Sequence, residues 1–337
     1  MADYDWFNAI KWFESALHSS REFPNRSREF PNSLMLQTTR RLAECHYKTG
    51  NFKQALSIAA TLPPDSMTHD DLRLVYFCLS PLRGTGGSAD SLFYWGQRIL
   101  KQYPMDAEVA ADMAKRYIES EKPEIALKTA TEYWLRDSTN VYVNRQLGYA
   151  QYLCGQYKEA INTYEQQLIR GDSSVIVLFP LGMCYYLTND RPNAYIRLKQ
   201  AAKATDYGNA TCLAKLGIVA AQLGHAQESA EYLEKAINLF TPDPEVMALV
   251  YENLGDAHLQ AGNMRAGIEA YRNCLNHNPE KPYYIYYEMG QAYGAIRDSA
   301  NERKYFRLFL EETQKLKSLD GLEEAIAYAK RKVGLKK

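Results

Sequence analysis

Side chains able to do chemistry are plentiful in this 337-residue chain, and nowhere are they gathered. The histidines, His18, His46, His69, His225, His258 and His277, fall far apart, with no HxxxH or HExxH spacing to set two imidazoles on one helix face for a metal. The cysteines, Cys45, Cys78, Cys154, Cys184, Cys212 and Cys274, include no CxxC and no close pair. They read as small buried hydrophobes in a reducing compartment, since disulfide frameworks belong to shorter secreted chains. Gly84, Gly86 and Gly87, beside Thr85 and Ser88, could present backbone N–H groups to a phosphate. No GxxxxGK[ST] and no preceding strand accompany them, so a turn between helices suffices. A GxSxG elbow, a kinase motif set and a dinucleotide fingerprint are all missing from the sequence. The expectation is a chain that is not an enzyme and takes no cofactor and no metal.

Bulk properties narrow the remaining classes. With 40 basic and 40 acidic side chains the formal charge is zero, which gives no footing for nucleic acid. No stretch approaches the roughly 18 consecutive apolar residues of a membrane span. The opening MADYDWFNAIKWF lacks the basic-then-apolar order of a signal peptide, and a leader already removed would leave the same start. A cytoplasmic location is expected. The 26 tyrosines are unusually many, and their amphipathic rings suit both helix packing and a binding groove.

The elements that must position any site announce themselves by period. Leu147 to Leu168, LGYAQYLCGQYKEAINTYEQQL, holds two short amphipathic helices and a Gly155-Gln156 turn, with Ala160 and Tyr164 at helical spacing. Its Leu147-Gly148 step returns as Leu181-Gly182, Leu216-Gly217, Leu254-Gly255 and Met289-Gly290, at intervals of 34, 35, 38 and 35 residues. This pattern resembles the tetratricopeptide repeat, in which Leu-Gly, then Tyr, then Ala and an aromatic recur every 34 residues or so. The resemblance implies an all-α, right-handed superhelical solenoid of antiparallel helix pairs. About seven pairs are expected over residues 34–316, preceded by an orphan repeat helix and a duplicated loop (1–33) and closed by a C-terminal capping helix (317–337).

Along the chain, Trp6, Ala9, Phe13 and Ala16-Leu17 match the second helix of a repeat whose first helix is missing. Either the natural array is longer, or this helix pairs with something else, such as a second copy. REFPNRS and REFPNS then repeat in tandem over 21–33, where Pro24 and Pro31 predict a loop, read as a local duplication without a role. Leu42-Ala43, Gly50 and Ala55 restore the motif. DDLRLVYFCLS and SLFYWGQRILKQYP form a divergent unit with a lengthened turn, and from Met113-Ala114 onwards the units are regular. Asp190-Arg191-Pro192 replaces one glycine turn, and TPDP at 241–244 lengthens another connection. GLEEAIAYAKRKVGL supplies a last helix with a basic end to cover the final hydrophobic face.

In tetratricopeptide arrays the first helix of each pair lines the inner, concave face, which holds an extended or helical peptide. Applied here, that placement presents Tyr142, Arg145, Tyr149 and Tyr152, then Ile176, Phe179, Met183 and Tyr186, and later Leu249, Glu252, Asp256 and Leu259, followed by Tyr284, Tyr287 and Gln291. The expected groove residues are Tyr142, Arg145, Tyr149, Tyr152, Phe179, Met183, Tyr186, Glu252 and Asp256, although helical stripes of this kind also serve as packing. An aromatic middle and an acidic C-terminal half suit a protein or peptide with hydrophobic anchors and a basic end. The chaperone-carboxylate clamp of one family subclass is not reproduced, because Arg145 is followed one turn on by Tyr149 and Asn253 lacks basic neighbours. The leading expectation is a non-enzymatic protein-interaction scaffold. Its alternatives are a structural subunit that forms a homo-oligomer through the N-terminal helix, and an accessory repeat domain of a larger enzyme.

Overall fold

The computed structural model describes residues 5–22, 32–80, 89–239, 243–277, 282–316 and 318–334; the tandem REFPN segment and the Gly84–Ser88 turn fall essentially outside them. All regular structure among these residues is helical, in two compact units, Met1–Cys154 and Gly155–Lys337. The first unit holds α1 (Trp6–Glu22), α2 (Asn32–Lys48), α3 (Phe52–Ala59), α4 (His69–Leu79), α5 (Ala89–Gln102), α6 (Ala107–Glu119), α7 (Pro123–Trp134) and α8 (Val141–Leu153). The second holds α9 (Tyr157–Ile169), α10 (Val175–Leu187), α11 (Arg191–Ala204), α12 (Ala210–Gln222), α13 (Ala226–Leu239), α14 (Pro244–Gln260), α15 (Met264–His277), α16 (Tyr283–Ala295), α17 (Ser299–Thr313) and α18 (Glu323–Val333).

Within the units, α2/α3, α4/α5, α6/α7, α10/α11, α12/α13, α14/α15 and α16/α17 pack as successive pairs, and short connections make the partners antiparallel. The starts are written in the sequence. Asn140, Asp190, Asn209, Asp243 and Asp298 each stand one residue before a helix and accept a hydrogen bond from a backbone N–H of its first turn. Thr68 and Asp71 close a reciprocal capping box on α4.

The turns inside pairs share one geometry. Gly224 and Gly262 take φ of 80° and 81°, and the residue after each donates back to a carbonyl five residues earlier, His225 to Ala220 and Asn263 to His258. Asn189, with φ of 66°, occupies the same left-handed position ahead of α11, and Asp190 donates to the Tyr185 carbonyl. The glycine missing from that turn is thus replaced by asparagine, the residue best able to tolerate the conformation after glycine.

Pairs are sealed by a large side chain of the second helix lying on a glycine of the first. A Cβ added at Gly182 or Gly217 would stand 2.8 or 2.7 Å from Cγ of Leu198 or Leu233. At Gly255 and Gly290 it would meet the Tyr271 ring at 2.6 Å and the Phe306 ring at 2.8 Å. All four large partners are 0–1% exposed. The α4/α5 pair reverses these roles: Gly96 lies on the second helix, and an added Cβ would be 2.9 Å from Tyr76 of the first and 2.2 Å from Sδ of Met113. That exchange is why the divergent unit lacks the Leu-Gly signature.

α10, VIVLFPLGMCYYL, is apolar all round and carries Pro180 in its interior, which removes one ladder hydrogen bond. No helix of the described residues is long and apolar enough to cross a membrane. Substituting Gly255→Val is expected to lower stability by about 2 kcal/mol through overpacking against Tyr271. Urea unfolding followed by circular dichroism measures the loss, and an unchanged midpoint would contradict the close-approach argument.

Candidate functional site

In the first unit α8 carries the expected aromatics, two of them exposed. Asn140 starts the helix by accepting from Tyr142 N and Val143 N, both at 3.1 Å, and so sets the register in which Val143 and Leu147 point inward. Tyr142 and Tyr149 are left 67% and 38% exposed. The Arg145 guanidinium sits 5.8 Å from the Tyr142 ring centre, and the Tyr149 and Tyr152 rings stack at 6.0 Å with 14° between planes. Four side chains at steps of three and four thus form one continuous amphipathic strip with a cation in it.

Also in the first unit, a cleft of about 990 Å³ opens over α2 and α4, edged by Phe13 and Glu108. Leu34, Leu74 and Phe77 make its apolar floor, while its charges are largely committed to each other. Arg40 Nε donates to Asp71 at 2.8 Å, and Arg73 bridges α4 to Asp106 and Glu108. Asp106 also accepts from the Val109 N–H and contacts His69 Nε2 at 2.8 Å, and the His69 ring stacks on Tyr103 at 4.1 Å. Burial alone would raise the Asp106 carboxyl; the hydrogen bonds from Arg73, Val109 and His69 outweigh it and hold the group below the usual range. These ion pairs fasten successive first helices together and leave the cleft without net charge.

The second unit differs in sign. Glu252 and Asp256 of α14 and Glu288 of α16 are partly buried carboxyls, and none has a Lys or Arg ion pair among the described residues. Tyr284 donates to Glu252 at 2.8 Å and Tyr271 to Asp256 at 2.5 Å. Burial raises all three carboxyls above their ordinary values, and the charge of Asp256 raises Glu252 and Glu288 further. Leu249 and Tyr284, 49% and 41% exposed, flank them. Further along the same row, Ile176 of α10 is 56% exposed. A half-dry, negative surface edged by apolar side chains can accept a cationic group and stabilise its charge.

Comparison with known families decides what kind of array this is. Tetratricopeptide repeat profiles match residues 145–174 and 214–285. The chain carries tetratricopeptide repeats. Such repeats are protein-interaction scaffolds as a class. Among solved structures, the C-terminal part of a repeat-containing protein from Cytophaga hutchinsonii is similar at 18% identity, over 66% of this chain and 91% of that one, with a TM-score of 0.50. Also similar are pilF of Pseudomonas aeruginosa (18% identity, 65% and 96% covered, TM-score 0.49) and YrrB, described as a repeat protein with an unusual peptide-binding site (18%, 55% and 92%, TM-score 0.48). Identities this low show a shared fold alone. A comparison with curated proteins finds no match in sequence.

Of the nine expected groove residues, Tyr142, Arg145, Tyr149 and Tyr152 lie together on α8 of the first unit. Phe179, Met183, Tyr186, Glu252 and Asp256 belong to the second unit. Tyr142 and Tyr149 are open to a partner, whereas Met183 is 7% exposed and packs inward, as an all-apolar helix allows. Tyr186 is half-buried beneath Arg191, whose guanidinium is 4.3 Å from the ring centre. Glu288 and Tyr284 join the acidic pair; Glu288 lies four residues after Tyr284 and three before Gln291, and the sequence stripe took Tyr287 at that turn instead. Among the described residues no group of three His, Cys, Asp or Glu is placed to hold a metal, and the six cysteines are free.

The raised Glu288 carboxyl has a stability consequence of fixed sign. A folded-state value above the unfolded one favours the protonated form, so its contribution is present below about pH 4.3 and is lost as pH rises through the folded value. Glu288→Gln is therefore expected to raise the Tm by about 1–3 °C at pH 7 and to change it little at pH 4. Thermal melts at both pH values test this; a lower Tm at pH 7 would mean that Glu288 has a cationic partner at neutral pH.

Proposed function

We propose that this repeat protein holds a peptide or partner segment against the free faces of its first helices, and that the partner carries hydrophobic anchors and a basic end. The observation that carries the reading is the trio Glu252, Asp256 and Glu288, partly desolvated and without a Lys or Arg ion pair among the described residues, beside the exposed Leu249 and Tyr284. Elsewhere the chain neutralises comparable acids internally: Glu165 pairs with Arg197 at 2.9 Å and Glu228 with Lys199 at 3.0 Å. A Lys or Arg arriving from a partner would satisfy carboxylates that already bear part of the desolvation cost, which is how charge on an interface selects a partner.

In the first unit the α8 strip is a surface of its own, with aromatic chemistry. Tyr142 and Tyr149 offer broad, rigid rings with few rotatable bonds, and Arg145 adds a planar donor beside them. Aromatic and arginine side chains of this kind dominate interface energetics when a partner covers them. The scaffold itself performs no bond-making step in this reading, and its residues act by holding.

Fluorescence anisotropy with labelled 12-residue peptides tests the assignment. One peptide carries Leu and Trp anchors followed by three Lys, and a second replaces the Lys with Glu. The basic peptide is expected to bind, and Glu252→Gln with Asp256→Asn is expected to weaken it about tenfold, or about 1.4 kcal/mol. The α8 strip is tested separately: Tyr142→Ala with Tyr149→Ala should weaken a peptide that carries the Leu and Trp anchors alone by a similar factor. Equal affinity of wild type and the acidic double variant for the Lys peptide would remove the acidic trio from the function.

A further inference from the structure

Several exposed helix faces of this chain set unlike charges one turn apart. Lys115 faces Glu119, Lys128 faces Glu132, Glu269 faces Arg272 and Glu312 faces Lys315, each at i,i+3 or i,i+4 spacing. α17 breaks this pattern. Arg303, Lys304 and Arg307 are exposed along one side of it, and like charges at those spacings destabilise a helix. None of the three has an acidic ion-pair partner among the described residues. They share a shallow pocket with Ala300 and Leu308, and Glu311 is the one acid in its lining, so the stripe stays net positive. A local rule broken in this way is expected where a partner offsets the loss.

We propose that the stripe docks on the Glu252, Asp256 and Glu288 surface of a second copy, so that the chain is its own partner; the contact rests on the reading of that trio as a seat for cations. Two observations select this occupant. The first is complementarity, in apolar content as well as in charge. Three cations without an ion pair, beside Leu308, meet three carboxyls without a Lys or Arg ion pair among the described residues, beside the exposed Leu249 and Tyr284.

The second is direction. Phe306, Phe309 and Leu310 of α17 turn inward, and Phe306 lies on Gly290 of α16. Glu288 stands about 200° round α16 from Gly290 and so points away from α17. The trio and the stripe therefore lie on opposite sides of the α16/α17 pair and cannot meet within one copy. Each copy presents one surface of each kind, which makes the contact heterologous, and association proceeds head to tail. Because the groups on the stripe are exposed, added salt screens the attraction.

Sedimentation velocity of the full chain between 5 and 500 µM tests the contact, starting from a monomer of 38.5 kDa. In 50 mM NaCl the mass is expected to rise with concentration, and in 500 mM NaCl to stay at the monomer. One variant, Glu252→Gln with Asp256→Asn and Glu288→Gln, keeps the stripe and loses the trio; a second, Arg303→Gln with Lys304→Gln and Arg307→Gln, does the reverse. Each alone should remain monomeric with an unchanged circular dichroism spectrum. An equimolar mixture of the two should form pairs of twice the monomer mass and nothing larger, because one competent contact remains. A wild type that stays monomeric in 50 mM NaCl overturns the proposal, as does association that survives in either variant, or a mixture that remains monomeric. The Lys peptide separates this contact from the wider reading. Wild type that binds the peptide yet stays monomeric keeps the acidic seat and removes the second copy from it, whereas self-association without peptide binding keeps the contact and removes the peptide.

Discussion

The contact on which the rest of the molecule depends is a large side chain resting on a glycine backbone. Leu198 on Gly182, Leu233 on Gly217, Tyr271 on Gly255 and Phe306 on Gly290 bring the two helices of a pair close enough for each large partner to be fully buried. Glycine in a helix interior costs about 1 kcal/mol relative to alanine. Burying a leucine or phenylalanine side chain returns about 1.5–3 kcal/mol, so the exchange favours the fold each time it is made. It also fixes orientation, because the first helix can present only one face to its partner, and the residues at other angles are freed for solvent or for a binding partner. Tyr142, Tyr149, Leu249 and Tyr284 are exposed for that reason.

This geometry explains which part of the molecule was legible from residues alone. A steric rule that demands a small residue at one position and a large one 16 residues later leaves its mark in the amino-acid alphabet, so Leu147-Gly148 and its successors reveal helix, turn and pairing together. The rule does not demand that the glycine sit on the first helix. In α4/α5 the burden passes to Gly96, with Tyr76 as the large partner, and the signature disappears while the packing persists. The left-handed turn position behaves likewise: it is a conformational requirement, and Asn189 meets it as well as Gly224 does.

The site was less legible because exposure depends on neighbours. Tyr142 and Tyr149 sit on an amphipathic helix whose inward residues are identifiable, and their exposure could be read. Met183 sits on α10, where apolar side chains occur at every angle and no polar face distinguishes inside from outside. Glu288 was invisible for another reason. Its carboxyl is raised by burial and by the charge of Asp256, which lies 32 positions earlier, and nothing in the local pattern around Tyr287 discloses that approach.

A total charge of zero likewise hides a segregated surface. In the first unit Arg73 is tied to Asp106 and Glu108, and Arg40 to Asp71, so acids and bases cancel at contact distance. In the second unit Glu252, Asp256 and Glu288 carry no ion pair among the described residues, while Arg303, Lys304 and Arg307 of α17 share a shallow pocket with Leu308 and Glu311. Fields from separated groups are screened within about 8 Å at physiological salt. Opposite patches farther apart than this neither neutralise each other nor cancel in the eyes of an arriving partner. The balance of 40 basic and 40 acidic residues therefore excludes a protein-wide pull on polyanions, yet it leaves each local surface free to choose the sign of what it binds.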